Sequence, residues 1–504
     1  MKLKRVCVRL AFAIIVGLVA LAAWNYWPTE SGTLDDADAD ELAKSEGELA
    51  GLVTRPGGTE EWLRQLDDEL AAGVTPMNNA LIPLMKALGP DLLFLPNQSE
   101  RDATLERLGV TRDELAAGPG FIPWDQRQRV LAPATAAANA TSRPELPEVL
   151  AEARVGRMHQ DVVPWLEANK PALALVKQAA QRPKFWVPGS AGMPFPLTSA
   201  MPVANALTLR AATRHARGDL EGAWQDAMTL HGLARHIQKV PLPGYQRSAF
   251  AIERRAAEAG LALATDPALD AKVAKQALDQ LRQMQPAGEV GKVVDTTMRA
   301  AALAAVARMS RGDPLDSCEL CAEVFGPVLI ESLVTLASVD VDWLDVAKRV
   351  NQGLDQLVSH VNKARYQPRK SLRWASLRID EYDQLTAMAA GRLGQDKRNE
   401  IVADTILGLA LLEIPSDHQA TVRMQFQIEK LALALAVFKA DSGRYPAQLA
   451  DLVPKYLAAV PDDPFSGRGL VYRRAANGYL LYSVGADQQD DGGHAEDDIV
   501  ATVK

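Results

Sequence analysis

From about residue 58 to residue 416 the chain repeats one pattern, apolar residues at helical spacing broken by glycine and proline. The clearest unit is a hairpin. A helix through Leu207 is predicted to end at Gly218, where a left-handed residue closes a helix, and Asp219 to cap the next one. In that next helix Ala223, Ala227, Leu230, Ala234 and Ile237 recur at spacings of 4, 3, 4 and 3, a single apolar stripe. Small residues opposite Trp224 and Met228 predict close antiparallel packing. Near the C-terminus Met424, Ile428, Leu431, Leu435 and Phe438 form one stripe of a helix, while Phe426, Leu433 and Val437 cover the other side. A helix apolar nearly all round must be buried on two faces, so this one is expected to dock the C-terminal residues onto the helical body. The pattern then changes. A short helix around Leu449 to Leu457 is followed by Pro461-Asp462-Asp463-Pro464-Phe465. Two β-rich runs come next, Leu470–Arg474 and Tyr479–Val484, joined at Asn477-Gly478, a dipeptide that supplies the positive φ angles of a tight hairpin. Ile499-Val500 reads as a returning strand.

The fold class expected is mainly α: a helical bundle or an irregular solenoid of helical hairpins, followed by a small α+β domain with an antiparallel sheet. The hairpin at Gly218 loosely resembles a tetratricopeptide-type unit, but no period of roughly 34 residues persists along the chain. Arg217-Gly218-Asp219 and Arg311-Gly312-Asp313 read as a helix-ending glycine followed by a capping Asp, not as adhesion motifs. Between Arg182 and Pro202 five prolines alternate with Phe185, Trp186 and Phe195. Proline removes backbone donors and fixes φ, so the segment is expected to cross the bundle as an aromatic loop, either plugging the core or lining a groove.

The N-terminus has its own pattern. Lys2, Lys4, Arg5 and Arg9 precede an uncharged run from Leu10 to Ala23, followed by Trp24, Tyr26 and Trp27 before Pro28. A basic flank, an apolar stretch and an aromatic belt describe a single-pass helix in the inner membrane, with its N-terminus cytoplasmic and the body periplasmic. The run is short against the ~17–25 residues a span needs, unless it is counted from Val6 to Trp27. Ala20-Leu21-Ala22 leaves open the alternative of a signal peptide cleaved near Ala22 and a secreted protein. The segments expected are therefore a membrane anchor or signal over 1–28, an acidic linker over 29–57, an N-terminal helical region over 58–142, a helical-hairpin body over 143–416 and a C-terminal domain over 417–504.

Composition narrows the chemistry. The 504 residues are 48% hydrophobic and 23% charged, with a net charge of −8, which excludes a disordered chain and gives no basic face for nucleic acid. The histidines are scattered. His231 and His236 are five apart and point to different helix faces, without a metal-ligand partner at helical spacing. There is no phosphate-binding glycine loop and no nucleophile elbow. Cys318-Glu319-Leu320-Cys321 could be a redox pair, but its helical surroundings favour a local disulfide or two reduced thiols. No catalytic residue is assigned.

One cluster does carry chemistry. Asp487, Asp490, Asp491, Glu496, Asp497 and Asp498 fall within sixteen residues, 485–500, without a lysine or arginine among them. Folding them together is repulsive unless a cation such as Ca²⁺, which takes six to eight oxygen ligands in flexible geometry, sits between them. Gly492 and Gly493 allow the loop to close on itself.

The blocks Phe438-Lys439-Ala440-Asp441-Ser442-Gly443-Arg444-Tyr445-Pro446, Leu452-Val453-Pro454-Lys455-Tyr456-Leu457, Val460-Pro461-Asp462-Asp463-Pro464, Tyr482-Ser483-Val484-Gly485-Ala486-Asp487 and Glu496-Asp497-Asp498-Ile499 occur in this order. Together they resemble the C-terminal domain of type II secretion major pseudopilins, over residues 420–504. The resemblance implies a helix packed on a small antiparallel sheet with a structural calcium site. It places the ligands at Asp487, the Val484 carbonyl and Asp497 or Asp498, and Asp490 joins them from the acidic run. The chain departs from that family in having no prepilin leader junction and in the long helical body before the domain, so assembly into a pilus is not expected. The function expected is a membrane-anchored envelope protein that binds or scaffolds protein partners, in secretion or envelope assembly. The alternative is an extracytoplasmic enzyme with a site in the helical body.

Overall fold

The computed structural model describes residues 58–503 except 90–97, 132–144, 189–199, 286–287, 289, 316–317, 319, 322–323, 326–329, 331–332, 335–338, 364, 369–392, 414–415 and 495–497. The expected anchor over 1–28 and the acidic linker over 29–57 lie outside the described residues. Among those described, no helix is long and apolar enough to cross a membrane.

The body is built of helices. The principal ones are α1 (Leu81–Leu88), α2 (Lys170–Gln181), α3 (Ala200–Ala216), α4 (Leu220–Ile237), α5 (Pro243–Ala264), α6 (Ala271–Gln283), α7 (Arg299–Arg311), α8 (Trp343–Val361), α9 (Gln395–Glu413) and α10 (Ser416–Ser442). Neighbours in sequence mostly pack as neighbours in space: α3 on α4, α4 on α5, α8 on α9. The hairpin forms as its sequence dictates. Gly218 closes α3 at φ 78° and the Asp219 carboxylate accepts the Gly222 amide. The stripe Ala223, Ala227, Leu230, Ala234 and Ile237 is buried throughout. Across the hairpin the buried Asp226 takes a bidentate contact from Arg210, 2.6 Å at its shortest, and a second bond from Arg214 at 2.9 Å. Burial nevertheless outweighs both guanidinium groups and raises the carboxyl above its ordinary range. Gly312 ends α7 in the left-handed region. Asp313 pairs with Arg311 at 2.8 Å, and the residues just beyond it, where a following helix would begin, lie in part outside the described residues.

The aromatic Pro-rich segment plugs the core where it is described. Phe185, Trp186 and Val187 are buried. Trp186 donates its indole N–H to Asp67, and the buried Asn79 holds the Trp186 backbone from both its amide and carbonyl sides.

Helix α10 joins the two hydrophobic cores. Its Val422 belongs to the core of the body, whereas Met424 onwards belongs to a second core shared by α4, α5, α6 and the C-terminal sheet. Met424, Phe426, Ile428, Leu431, Leu433 and Leu435 are all buried, because α5 and α6 cover one side of the helix and the sheet covers the end of the other. Beyond Gly443 the expected helix around Leu449–Leu457 is cut to one 3₁₀ turn, Leu449–Leu452. Pro454 has no N–H to continue it and holds Val453 in an extended conformation.

The sheet order is β3-β4-β5, with β3 (Val471–Arg474), β4 (Tyr479–Ser483) and β5 (Ile499–Val503) all antiparallel and β4 central, beside a two-stranded ribbon of β1 (Asp462–Asp463) and β2 (Arg468–Gly469). The register Tyr479↔Val503, Leu481↔Ala501, Ser483↔Ile499 puts these six side chains on one buried face, against α10. The hairpin between β3 and β4 differs from the Asn-Gly expectation. The Ala475 amide donates to the Gly478 carbonyl at 2.9 Å, which centres the turn on Ala476-Asn477, and neither residue has a positive φ.

Candidate functional site

The sequence-predicted calcium residues surround the end of β4 and the start of β5. Glycines make the loop possible: Gly485, Gly492 and Gly493 all take positive φ, as does Gln488 at 65°. Asp487 is exposed and its carboxylate accepts the Gln489 amide at 3.1 Å. Asp490 accepts the Tyr482 hydroxyl at 2.8 Å and the Gly492 amide at 3.0 Å, which hold its carboxyl below the ordinary range. Asp498 is 5% exposed, and its Oδ2 accepts the Gly493 and His494 amides at 2.8 and 3.1 Å. Its Oδ1 is buried without a hydrogen-bond partner. Val484 donates its amide to Asp463 at 3.2 Å. Asp497 lies outside the described residues.

The structure brings Asp487, Asp490 and Asp498 into one loop but turns each of these three carboxylates onto nearby backbone or a tyrosine. Among the described residues no group of three His, Cys, Asp or Glu side chains converges as a metal cage. The donor set still fits a hard cation. All its groups are oxygens, and the Asp498 Oδ1 is a buried acceptor that lacks the positive charge or donor such an atom requires.

Asp463 has a separate role. It is buried and accepts the Phe465 amide, the Ser483 hydroxyl and the Val484 amide, fastening the Pro-Asp-Asp-Pro turn to the end of β4. Its three bonds explain the carboxylate in that motif without a metal.

A second cluster was not foreseen from sequence. His231 on α4 lies between two carboxylates, with Nδ1 3.1 Å from Glu253 on α5 and Nε2 3.2 Å from Glu429 on α10. Arg235, one turn on from His231, grips Glu253 at 2.7 and 2.8 Å. His231, Glu253 and Glu429 have 0% exposure. Phe426 closes the site, edge-on to the imidazole at 5.6 Å and facing the Arg235 guanidinium at 5.3 Å. Gly260 on α5 leaves the space that Glu429 occupies, since a Cβ there would collide with its carboxylate.

The electrostatics reflect this geometry. Burial works against a charged imidazole, but the two facing carboxylates outweigh it and push His231 up to about 9. Glu253 is held below the ordinary range because His231 and Arg235 overcome its burial. Glu429 is raised, since burial outweighs the imidazolium beside it and the weaker attraction of Arg235, and Glu253 adds its repulsion. The imidazole offers opposite nitrogens to the two carboxylates, so these three side chains cannot close on a single metal ion. With no exposed atom among them, the cluster as folded gives a substrate no route in.

In the sequence the cluster left one trace, Glu429 as the single acidic residue between Met424 and Phe438. Two other sequence candidates have structural roles. His236 faces away from His231, stacked on Phe185 at 5.6 Å, and burial and the nearby Lys239 press it down to about 4. Cys318 and Cys321 are joined in a disulfide and both are buried, which resolves the alternative left open by the sequence.

Residues 415–502 match the family model for type II secretion system (T2SS) protein G, the major pseudopilin family. The match opens next to the start of α10 and takes in the sheet up to Thr502 of β5. The remainder has no recognised family. Comparison with curated proteins and with solved structures gives no match. The C-terminal region therefore points to a role related to type II secretion, with protein partners in that machinery.

Proposed function

We propose that the chain is an envelope protein that presents a pseudopilin-like domain to partners of a type II secretion machinery, on a helical body that holds the domain in one fixed position. The observation that carries this reading is α10. It is the first element of the family-matched region, and its apolar surface is divided between the C-terminal sheet and helices α5 and α6 of the body. A domain whose helix is half covered by its own chain is suited to recognition rather than to serial assembly with copies of itself. The N-terminal segment, with its basic flank and apolar run, would anchor the body at the inner membrane on the periplasmic side.

Calcium would be held by Asp487, Asp490, Asp497, Asp498 and the Val484 carbonyl. When bound it supplies the positive charge that offsets these carboxylates and gives the Asp498 Oδ1 a partner. Its role is then structural, fastening β5 to β4. Purification of the full chain from solubilised membranes tests this reading. Components of the secretion machinery should co-purify, and chelation should weaken their retention. If none co-purifies with or without calcium, the reading fails.

A further inference from the structure

The bridge Glu253–His231–Glu429 joins three helices and spans the junction between the family-matched helix and the body. It shares no residue with the acidic loop. Four ionisable side chains face one another there, His231 and Arg235 from α4, Glu253 from α5 and Glu429 from α10. Glu253 and Glu429 are the charges that act most strongly on the imidazole, against its burial. The charges balance only while the imidazole keeps its proton. Arg235 grips Glu253 with both terminal nitrogens, so Glu429 depends on His231. A neutral ring would leave Glu429 ionised in a sealed apolar pocket beside a second carboxylate, a state that buried charges escape by neutralising or by opening.

We propose that this bridge is a proton-operated latch, in which protonated His231 holds α10 on the helical body and loss of that proton loosens it. The sign is set by linkage. In an opened junction the imidazole returns to its ordinary value of about 6.5, whereas closed it lies at about 9. The latch is therefore at full strength below pH 6.5, weakens as pH rises and is spent once pH passes about 9.

Hydrogen exchange of the full chain at pH 6.5 and pH 9 tests this, with α8 as an internal reference for base-catalysed exchange. On going to pH 9 the amides of α10 should lose protection relative to those of α8, by up to about a hundredfold. His231→Gln, which carries no titrating proton, should abolish this difference, and Glu429→Gln, which no longer needs a cation, should shrink it. Parallel loss in α10 and α8 of the natural chain would overturn the latch. So would an undiminished difference in either variant, and if one variant fails to fold the other decides.

Discussion

Glu429 reaches His231 at 3.2 Å although 198 residues separate them, and it does so from the helix that opens the pseudopilin-like region. An apolar helix can slide or rotate on an apolar surface at little cost. A carboxylate that finds its cation at one depth and on one side cannot. This contact accounts for the single acidic interruption in the most apolar stretch of α10, and it links the position of the C-terminal domain to residues of the body.

Gly260 is the first place to test that account. Alanine normally favours a helix over glycine by about 1 kcal/mol. Here its Cβ would strike the Glu429 carboxylate, and forced overpacking typically costs ~1–3 kcal/mol. Gly260→Ala should therefore lower the melting temperature. In a Glu429→Ala background the same change should cost much less, so the two effects should not add.

The two-sided burial of α10 makes a second prediction. Ile428 and Leu435 are both fully buried, Ile428 beside the latch and Leu435 two turns on. Ile428→Asp or Leu435→Asp would bury a charge without a partner, a loss of several kcal/mol. Soluble, protease-resistant protein should disappear from expression trials of either variant. Normal yield of both would mean that α10 is not packed on two sides.

The disulfide calls for the opposite outcome. Cys318 and Cys321 enclose a very short loop, and Cys321 has no exposed surface. Replacing both with Ser should lower stability modestly and leave any secretion phenotype unchanged at equal protein level. Loss of function without loss of protein would assign the pair a redox role.

Calcium binding is tested by melting the full chain in millimolar calcium and in chelator. An ion that binds the folded state alone stabilises it by RT ln(1 + [L]/Kd), ~2.7 kcal/mol at a hundredfold excess over Kd. The melting temperature should rise with calcium, Asp487→Ala should remove most of the rise, and magnesium should substitute poorly. The whole chain is required, because a fragment beginning at α10 would expose the side that α5 and α6 cover.

What the sequence made legible was local. The apolar ring of α10, the Gly218–Asp219 helix boundary and the strands around Tyr479 and Ile499 come from periodicity and capping, which act over a few residues. The turn at Ala476-Asn477 moved one place from the expected dipeptide because the ladder above it sets the register. The pairing within the His231 cluster was not legible for another reason. Glu253 sits beside Arg254 and Arg255, and Glu429 beside Lys430, as ordinary surface charges do. Only the packing of α4, α5 and α10 turns those side chains toward one another. The acidic loop was readable as a carboxylate run, but its present bonds to backbone amides and Tyr482 depend on where the chain folds back.

On the proposed function, the pseudopilin-like domain held on its helical body serves type II secretion. Export of a type II substrate in a strain that lacks this chain tests it most directly. Export should fall, return with the natural chain, and fail to return with Ile428→Asp. Undiminished export in the deletion strain would contradict the account.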